Sequence, residues 1–208
     1  MLAGDNGIGL LGTNIIDLHG KIEPASRRRD PTLRRALMSL SGLAHFEPHW
    51  PELAGVNMLR HTRPPGVDSA LAGAMPVEEV EAVSGAFMLI RRAVFDRIGA
   101  FDEGYFLHCE DLDLCRRVRD LGFRVVCAND VSVVHLKGTS GRKRPFFVAR
   151  HKHRGMWRWF VKFDPAARNP LLRALVWCGL WAHFVLLTPR YAYLALRSRV
   201  GAAVRRSE

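Results

Sequence analysis

Acidic residues are nearly missing from the last third of the chain. After residue 140 there are 15 Lys and Arg but only two acids, Asp164 and Glu208, whereas residues 1–140 hold 16 cations and 18 acids. The formal net charge of +11 therefore resides in the C-terminal part, which excludes an evenly basic surface and localises any polyanionic partner there. Cysteine is scarce. Cys109, Cys115, Cys127 and Cys178 form no CxxC pair and no zinc spacing, which excludes a disulfide scaffold or zinc module and predicts reduced thiols. The N-terminus, MLAGDNGIGLLG, has no basic region followed by an apolar stretch and a small-residue cleavage site. No secretory signal is predicted, and a cytoplasmic location is expected. A clean apolar run of ~20 residues is also lacking. The longest, Leu171 to Thr188, is interrupted by Arg173 and His183 and closed by Pro189, so a spanning helix is not expected.

What is present is a chain of 208 residues with 48% hydrophobic and 25% charged residues, enough for about one domain with a closed core. Global disorder and rod-like folds are excluded. Trp157, Trp159, Trp177 and Trp181 cluster with Tyr191 and Tyr193 among the C-terminal cations, a pattern suited to the lipid headgroup level. It predicts peripheral attachment at the cytoplasmic face of the inner membrane. The competing reading is a terminal helix whose apolar sides pack on the core. Nucleic acid is not expected as a partner, because the cations accompany an 18-residue apolar run rather than a recognition helix or stacking aromatics.

Along the chain, Ile8 to Gly12 reads as a short buried strand and Asn14 to Ile22 as two extended pieces around a turn at His19-Gly20. Arg27 to Arg29 reads as a solvated charge run or a phosphate grip. Thr32 is an N-cap for a helix through about Leu43. Residues 44–76 carry five of the eleven prolines and Gly55, Gly66 and Gly73, and read as a long irregular loop. Val80 to Ile90 reads as a strand broken at Gly85, and Arg92 to Ile98 as a short helix stopped by Gly99. Leu112, Cys115, Val118 and Leu121 recur at helical spacing, predicting a helix over Glu110 to Leu121 that ends at Gly122. Strands near Phe123 to Cys127 and Val131 to His135 follow. His151 and His153 are expected to be solvated or headgroup-facing.

The chemistry concentrates between Ser84 and Ser140. Glu110 and Asp111 are adjacent carboxylates at a helix start, where the macrodipole favours the ionised form that a general base needs. By itself, an acidic cluster at that position is more commonly explained by dipole and capping electrostatics. Asp113 is expected to pair with Arg116 or Arg117 one turn on. Gly85 either relieves a crowded strand or lets a sugar approach the backbone. Taken in order, Ser84-Gly85-Ala86, Arg91-Arg92, Gly99-Ala100-Phe101-Asp102-Glu103, Glu110-Asp111-Leu112-Asp113-Leu114-Cys115 with Arg117, Gly122 and His135 resemble the C-terminal half of the catalytic domain of family-2 inverting glycosyltransferases, especially rhamnosyltransferase-like enzymes. A weaker resemblance runs from Gly7 to Thr32.

That resemblance implies transfer of a sugar from a nucleotide-sugar to a surface-polysaccharide or glycolipid acceptor, with inversion. It implies Asp111 as catalytic base, Glu110, Gly85 and Arg117 as substrate-binding residues, and His135 as a ligand of a divalent cation, Mg²⁺ or Mn²⁺. The expected fold class is α/β, an incomplete glycosyltransferase type-A mixed sheet over residues 1–145 followed by a basic, aromatic, membrane-associated helical tail over 146–208. The metal-binding DxD motif of such enzymes has no counterpart, since Asp111-Leu112-Asp113 puts its two carboxylates on different sides of a helix. The expectation is therefore that the chain alone is incomplete, with a further polypeptide supplying the N-terminal, donor-binding half. The alternative is a non-catalytic, membrane-associated partner of a complete transferase.

Overall fold

The computed structural model describes residues 4–58, 77–136 and 144–204, with side chains described as far as Leu196. Residues 59–76 of the expected loop lie outside the described residues, as do 137–143. The chain divides into two compact units, residues 1–102 with 110–136, and residues 103–109 with 137–208.

The first unit is a mixed α/β unit. Its spine is β1 (Ile8–Ile16), a nine-residue strand buried along almost its whole length. Such a continuous apolar run needs cover on both faces. β1 pairs in parallel with β6 (Arg124–Val134) and antiparallel with the two-residue β5 (Leu89–Ile90), while β3 (Val77–Glu79) lines the other side of β6 antiparallel. The strand order is β3-β6-β1-β5, and a separate antiparallel ladder joins β2 (Arg27–Arg28) to β4 (Ala82–Val83). One face of β1 is kept bare by glycine. A Cβ on Gly12 would lie 2.5 Å from Val83 Cβ, and one on Gly9 would lie 2.8 Å from Val118 Cγ1, so β4 and the helix bearing Val118 approach the strand backbone directly.

That helix is α3 (Glu110–Asp120), which buries Leu112, Leu114, Cys115 and Val118. With Leu10, Ile15, Val83, Val94, Val125, Val126 and Cys127 they form the core. α1 (Leu33–Ser41) starts where Thr32 Oγ1 accepts from Arg35 N and stops at Gly42, whose φ of 80° is left-handed. α2 (Arg92–Ile98) ends at Gly99, as its sequence predicts.

Two expectations change. The expected strand break between Gly12 and Asn14 does not occur, and β1 runs through it. Likewise the two strands expected on either side of Asn129-Asp130 are one strand, β6. The polar residues there form a bulge: pairing with β1 skips from Ala128 to Ser132. The bulge is held by side chains, with Asn14 Nδ2 donating to Asn129 O at 2.9 Å.

The second unit is helical. α4 (Pro145–Phe163) runs antiparallel to α5 (Pro170–Leu186) and α6 (Thr188–Val204), which follow each other with only Leu187 between them. Phe146 meets Tyr191, His153 meets His183, and Arg173 sits over Trp157, contacts spread along the length of α4. Residues 103–109 also pack on α4: Phe106 stacks against Phe147 and His151, Arg158 lies over Tyr105, and a Cβ on Gly155 would come within 2.7 Å of His108 O. His153, expected at the surface, is 3% exposed. Its Nδ1 lies 2.7 Å from Ala149 O and its Nε2 3.0 Å from His183 Nδ1, and burial pushes its pKa down. The apolar run does not close at Pro189 either. Proline in the first turn of a helix forfeits no intrahelical hydrogen bond. Pro170–Leu196 is thus a 27-residue helical stretch that is long and apolar enough to cross a membrane.

Candidate functional site

The first turn of α3 places three carboxylates in three different environments. Asp113 is fully buried and accepts from Arg117 Nε at 2.6 Å, the expected one-turn pair. Arg117 continues to the carbonyls of Ile98 (2.7 Å) and Ala100 (2.9 Å), so this guanidinium ties the end of α2 to α3. Its contacts are those of a residue that holds the fold, and they take up three of its five donors.

Asp111 faces β4. Its Oδ2 accepts from Gly85 N at 3.0 Å and from Arg28 Nη2, and its Oδ1 accepts from Leu112 N at 2.8 Å, one of the free amides of the helix start. Gly85 packs closely on Asp111, since a Cβ there would sit 3.1 Å from Asp111 Cβ, a tight contact. Arg28 also donates to Val83 O at 2.7 Å, and both partners of the Arg28–Asp111 pair are largely shielded, 13% and 14% exposed. A carboxylate has about four acceptor positions, and the described contacts use three, leaving one on Oδ1.

Glu110 is the third. Its Oε2 is buried without a hydrogen-bond partner among the described residues. Desolvation, followed by the neighbouring Asp111 charge, raises its pKa. A half-buried carboxylate with a bare oxygen beside a paired one is an arrangement suited to accepting a hydroxyl hydrogen bond.

The Arg27 to Arg29 run is neither solvated nor a phosphate grip. Arg27 is 4% exposed and donates to Glu78 (2.8 Å), Asn14 (2.7 Å) and Asn129 (2.6 Å), stitching β2 to β3, β1 and the β6 bulge. Arg29 pairs with Glu47 at 2.6 Å. Arg28, which sequence reasoning passed over, is the residue of this run that reaches the candidate site. No local pattern flags it, because its partner is 83 positions away.

His135 follows β6, half-exposed, with Nδ1 3.8 Å from Glu23 Oε1. One imidazole and one carboxylate are fewer donors than Mg²⁺ or Mn²⁺ requires, and no group of three or more His, Cys, Asp or Glu able to hold a metal occurs among the described residues. The described residues therefore do not fit a bound divalent cation, and no step below depends on one.

A family model described as glycosyltransferase like family 2 matches residues 59–158, a segment that contains Gly85, Glu110, Asp111, Arg117 and His135. Over this segment, just under half of the chain, the protein is similar to rhamnosyltransferase-like members of glycosyltransferase family 2. N-acetylglucosaminyl-diphospho-decaprenol L-rhamnosyltransferase of Mycobacterium tuberculosis is 29% identical to this chain over 180 residues, 79% of the chain and 54% of that protein. Rhamnosyltransferase WbbL of Escherichia coli is 48% identical over 99 residues, 45% of the chain and 33% of that protein. The O-antigen biosynthesis protein RfbC of Myxococcus xanthus is 34% identical over 105 residues, 49% of the chain and 8% of that protein. The chain thus spans about half the length of the Mycobacterium relative. No solved structure matches it.

Proposed function

We propose that this chain carries the acceptor side of an inverting glycosyltransferase that moves a sugar, rhamnose by analogy with the named relatives, from a nucleotide-sugar to a glycan or lipid-linked acceptor at the cytoplasmic face of a membrane. The type-A glycosyltransferase sheet and the need for a donor-binding half supplied by further polypeptide belong to the same proposal. The observation that carries it is the start of α3, where Asp111 is fixed by Gly85 and Arg28 beside the unpartnered Oε2 of Glu110.

In the proposed step the reacting acceptor O–H donates to the open position on Asp111 Oδ1 and gives its proton there, while Glu110 accepts from a second, non-reacting hydroxyl of the acceptor. The acceptor oxygen forms its bond to the anomeric carbon from the face opposite the nucleotide. The bond from that carbon to the nucleoside diphosphate breaks, and the electron pair leaves on the diphosphate. Arg28 holds Asp111 in place by a charge-assisted bond, so the base pays little reorganisation during the transfer.

The test is complementation of a strain lacking the gene, reading both the sugar content of surface polysaccharide and nucleoside diphosphate release in isolated membranes. Asp111→Asn is expected to lower transfer by ~100-fold or more at unchanged protein level, because a general base contributes 10²–10⁴. Near-wild-type transfer by that variant removes Asp111 from the role. If Glu110→Gln then proves the more damaging change, the bare, raised-pKa carboxylate is the base instead.

A further inference from the structure

The second unit has two surfaces that isolated helices in water tolerate poorly, and they belong to one hairpin. On α5 and α6, the residues turned away from α4 form a continuous apolar row. Leu171 is 67% exposed, Leu175 58%, Val185 64%, Leu186 77%, Tyr193 62% and Leu196 63%, with exposed Cys178 and Ala182 in the same row. On α4, Arg150, Arg154, Arg158 and Lys162 follow one another at four-residue spacing, all exposed. Like charges at that spacing repel, and the sequence of α4 itself contains no acid.

We infer that this hairpin is a docking surface for an anionic lipid bilayer, and that α5–α6 lies in the plane of the membrane rather than across it. The apolar row enters the acyl boundary, and the cation row meets the lipid phosphates. Length and composition alone would equally allow α5–α6 to span. The packing decides. α4 lies alongside α5–α6 from the Arg173–Trp157 contact to the Phe146–Tyr191 contact, so a spanning α5–α6 would carry this part of α4, with Arg150 and Arg154, into the hydrocarbon. The part-buried His153–His183 contact, midway along the hairpin, fixes the two helices side by side. Laid flat, both rows reach the environment they suit. The inference is independent of whether the chain transfers sugar.

The test uses the full chain and preformed vesicles of phosphatidylcholine with or without phosphatidylglycerol. Sedimentation with the anionic vesicles is expected, weakened by salt. Arg150→Gln, Arg154→Gln and Lys162→Gln together should weaken it on the order of 100-fold at unchanged circular dichroism. Single labelled cysteines are then placed, in a Cys178→Ser background, at Leu171, Leu175, Ala182, Leu186 and Leu196, and their depth is read with brominated lipids. Similar shallow depth at all five supports the in-plane arrangement. A single maximum of depth at Ala182 means a spanning helix and overturns it. Failure to bind anionic vesicles, with or without self-association through the apolar row, overturns it too, as does undiminished binding by the triple variant.

Discussion

At the residue scale, Glu110, Asp111 and Asp113 show how one helical turn assigns three acids three roles through environment alone. Glu110 is the one with a cost to the fold. Its raised pKa means that the native chain holds the proton more tightly than the unfolded chain, so stability declines as pH rises through the interval above the ordinary glutamate value and is not regained above it. Glu110→Gln should therefore raise the melting temperature at neutral pH and leave it nearly unchanged at pH 4, while lowering transfer. A variant less stable than wild type at pH 7 by thermal denaturation would contradict this. Asp113 works in the opposite sense. Fully buried and bound to Arg117, it leaves that cation without its partner when removed, so Asp113→Ala should cost about 3 kcal/mol in urea unfolding, the low end for a broken buried pair because Arg117 is 20% exposed. The Asp113–Arg117 pair was legible in the sequence because helical periodicity brings i and i+4 together. The Arg28–Asp111 pair was not, since only the ladder of β2 with β4 brings residue 28 to the start of α3. His153 was misjudged for a related reason. A histidine flanked by Arg and Lys looks solvated until the partner helix supplies a second imidazole.

At the scale of elements, glycines set how closely the layers of the first unit approach. Gly12→Ala would drive a methyl to 2.5 Å from Val83 Cβ, and should destabilise by about 1–3 kcal/mol through overpacking without touching the carboxylates. Gly85→Ala meets Asp111 Cβ at 3.1 Å, a milder conflict but one aimed at the base. A shift of Asp111 by a few tenths of an ångström should lower transfer by up to ~10-fold, while shifting the melting temperature less than Gly12→Ala does. The opposite ranking in the two assays would separate Gly85 from the site. The helices α1, α2 and α3 were readable from Thr32, Gly99 and Gly122, because caps are local, although α1 stops at Gly42 before the expected end near Leu43. The strands were less so. Asn129 and Asp130 have the composition of a turn, and only the pairing with β1, Asn14 and Arg27 shows them to be a bulge.

For the whole molecule, the charge asymmetry at about residue 140 falls near where the second compact unit resumes, at residue 137, yet it gave no hint that residues 103–109 group with that unit. Those seven residues are drawn to α4 by aromatic contacts at Phe106 and Tyr105, which no periodicity announces. The thiols report the same organisation. Burial pushes Cys115 up to about 12 and Cys127 to about 11, Cys109 is buried, and Cys178 is exposed. A maleimide at pH 7 should modify one thiol per native chain quickly and the remaining three only on unfolding, as counted by mass spectrometry. Fast modification of two or more would mean that the core is open.

The parallel pairing of β1 with β6 also sets a timetable for synthesis. Ile8 finds its partner at Arg124, more than a hundred positions later, so a ribosome adding 5–20 residues per second leaves β1 without its principal neighbour for on the order of 10 s. For that interval a nine-residue, mostly apolar segment, already outside the exit tunnel, is a template for pairing with other nascent chains. Yield of soluble chain should accordingly respond to slower initiation, lower growth temperature and co-expressed holding chaperones more than to any change at the surface of the finished fold.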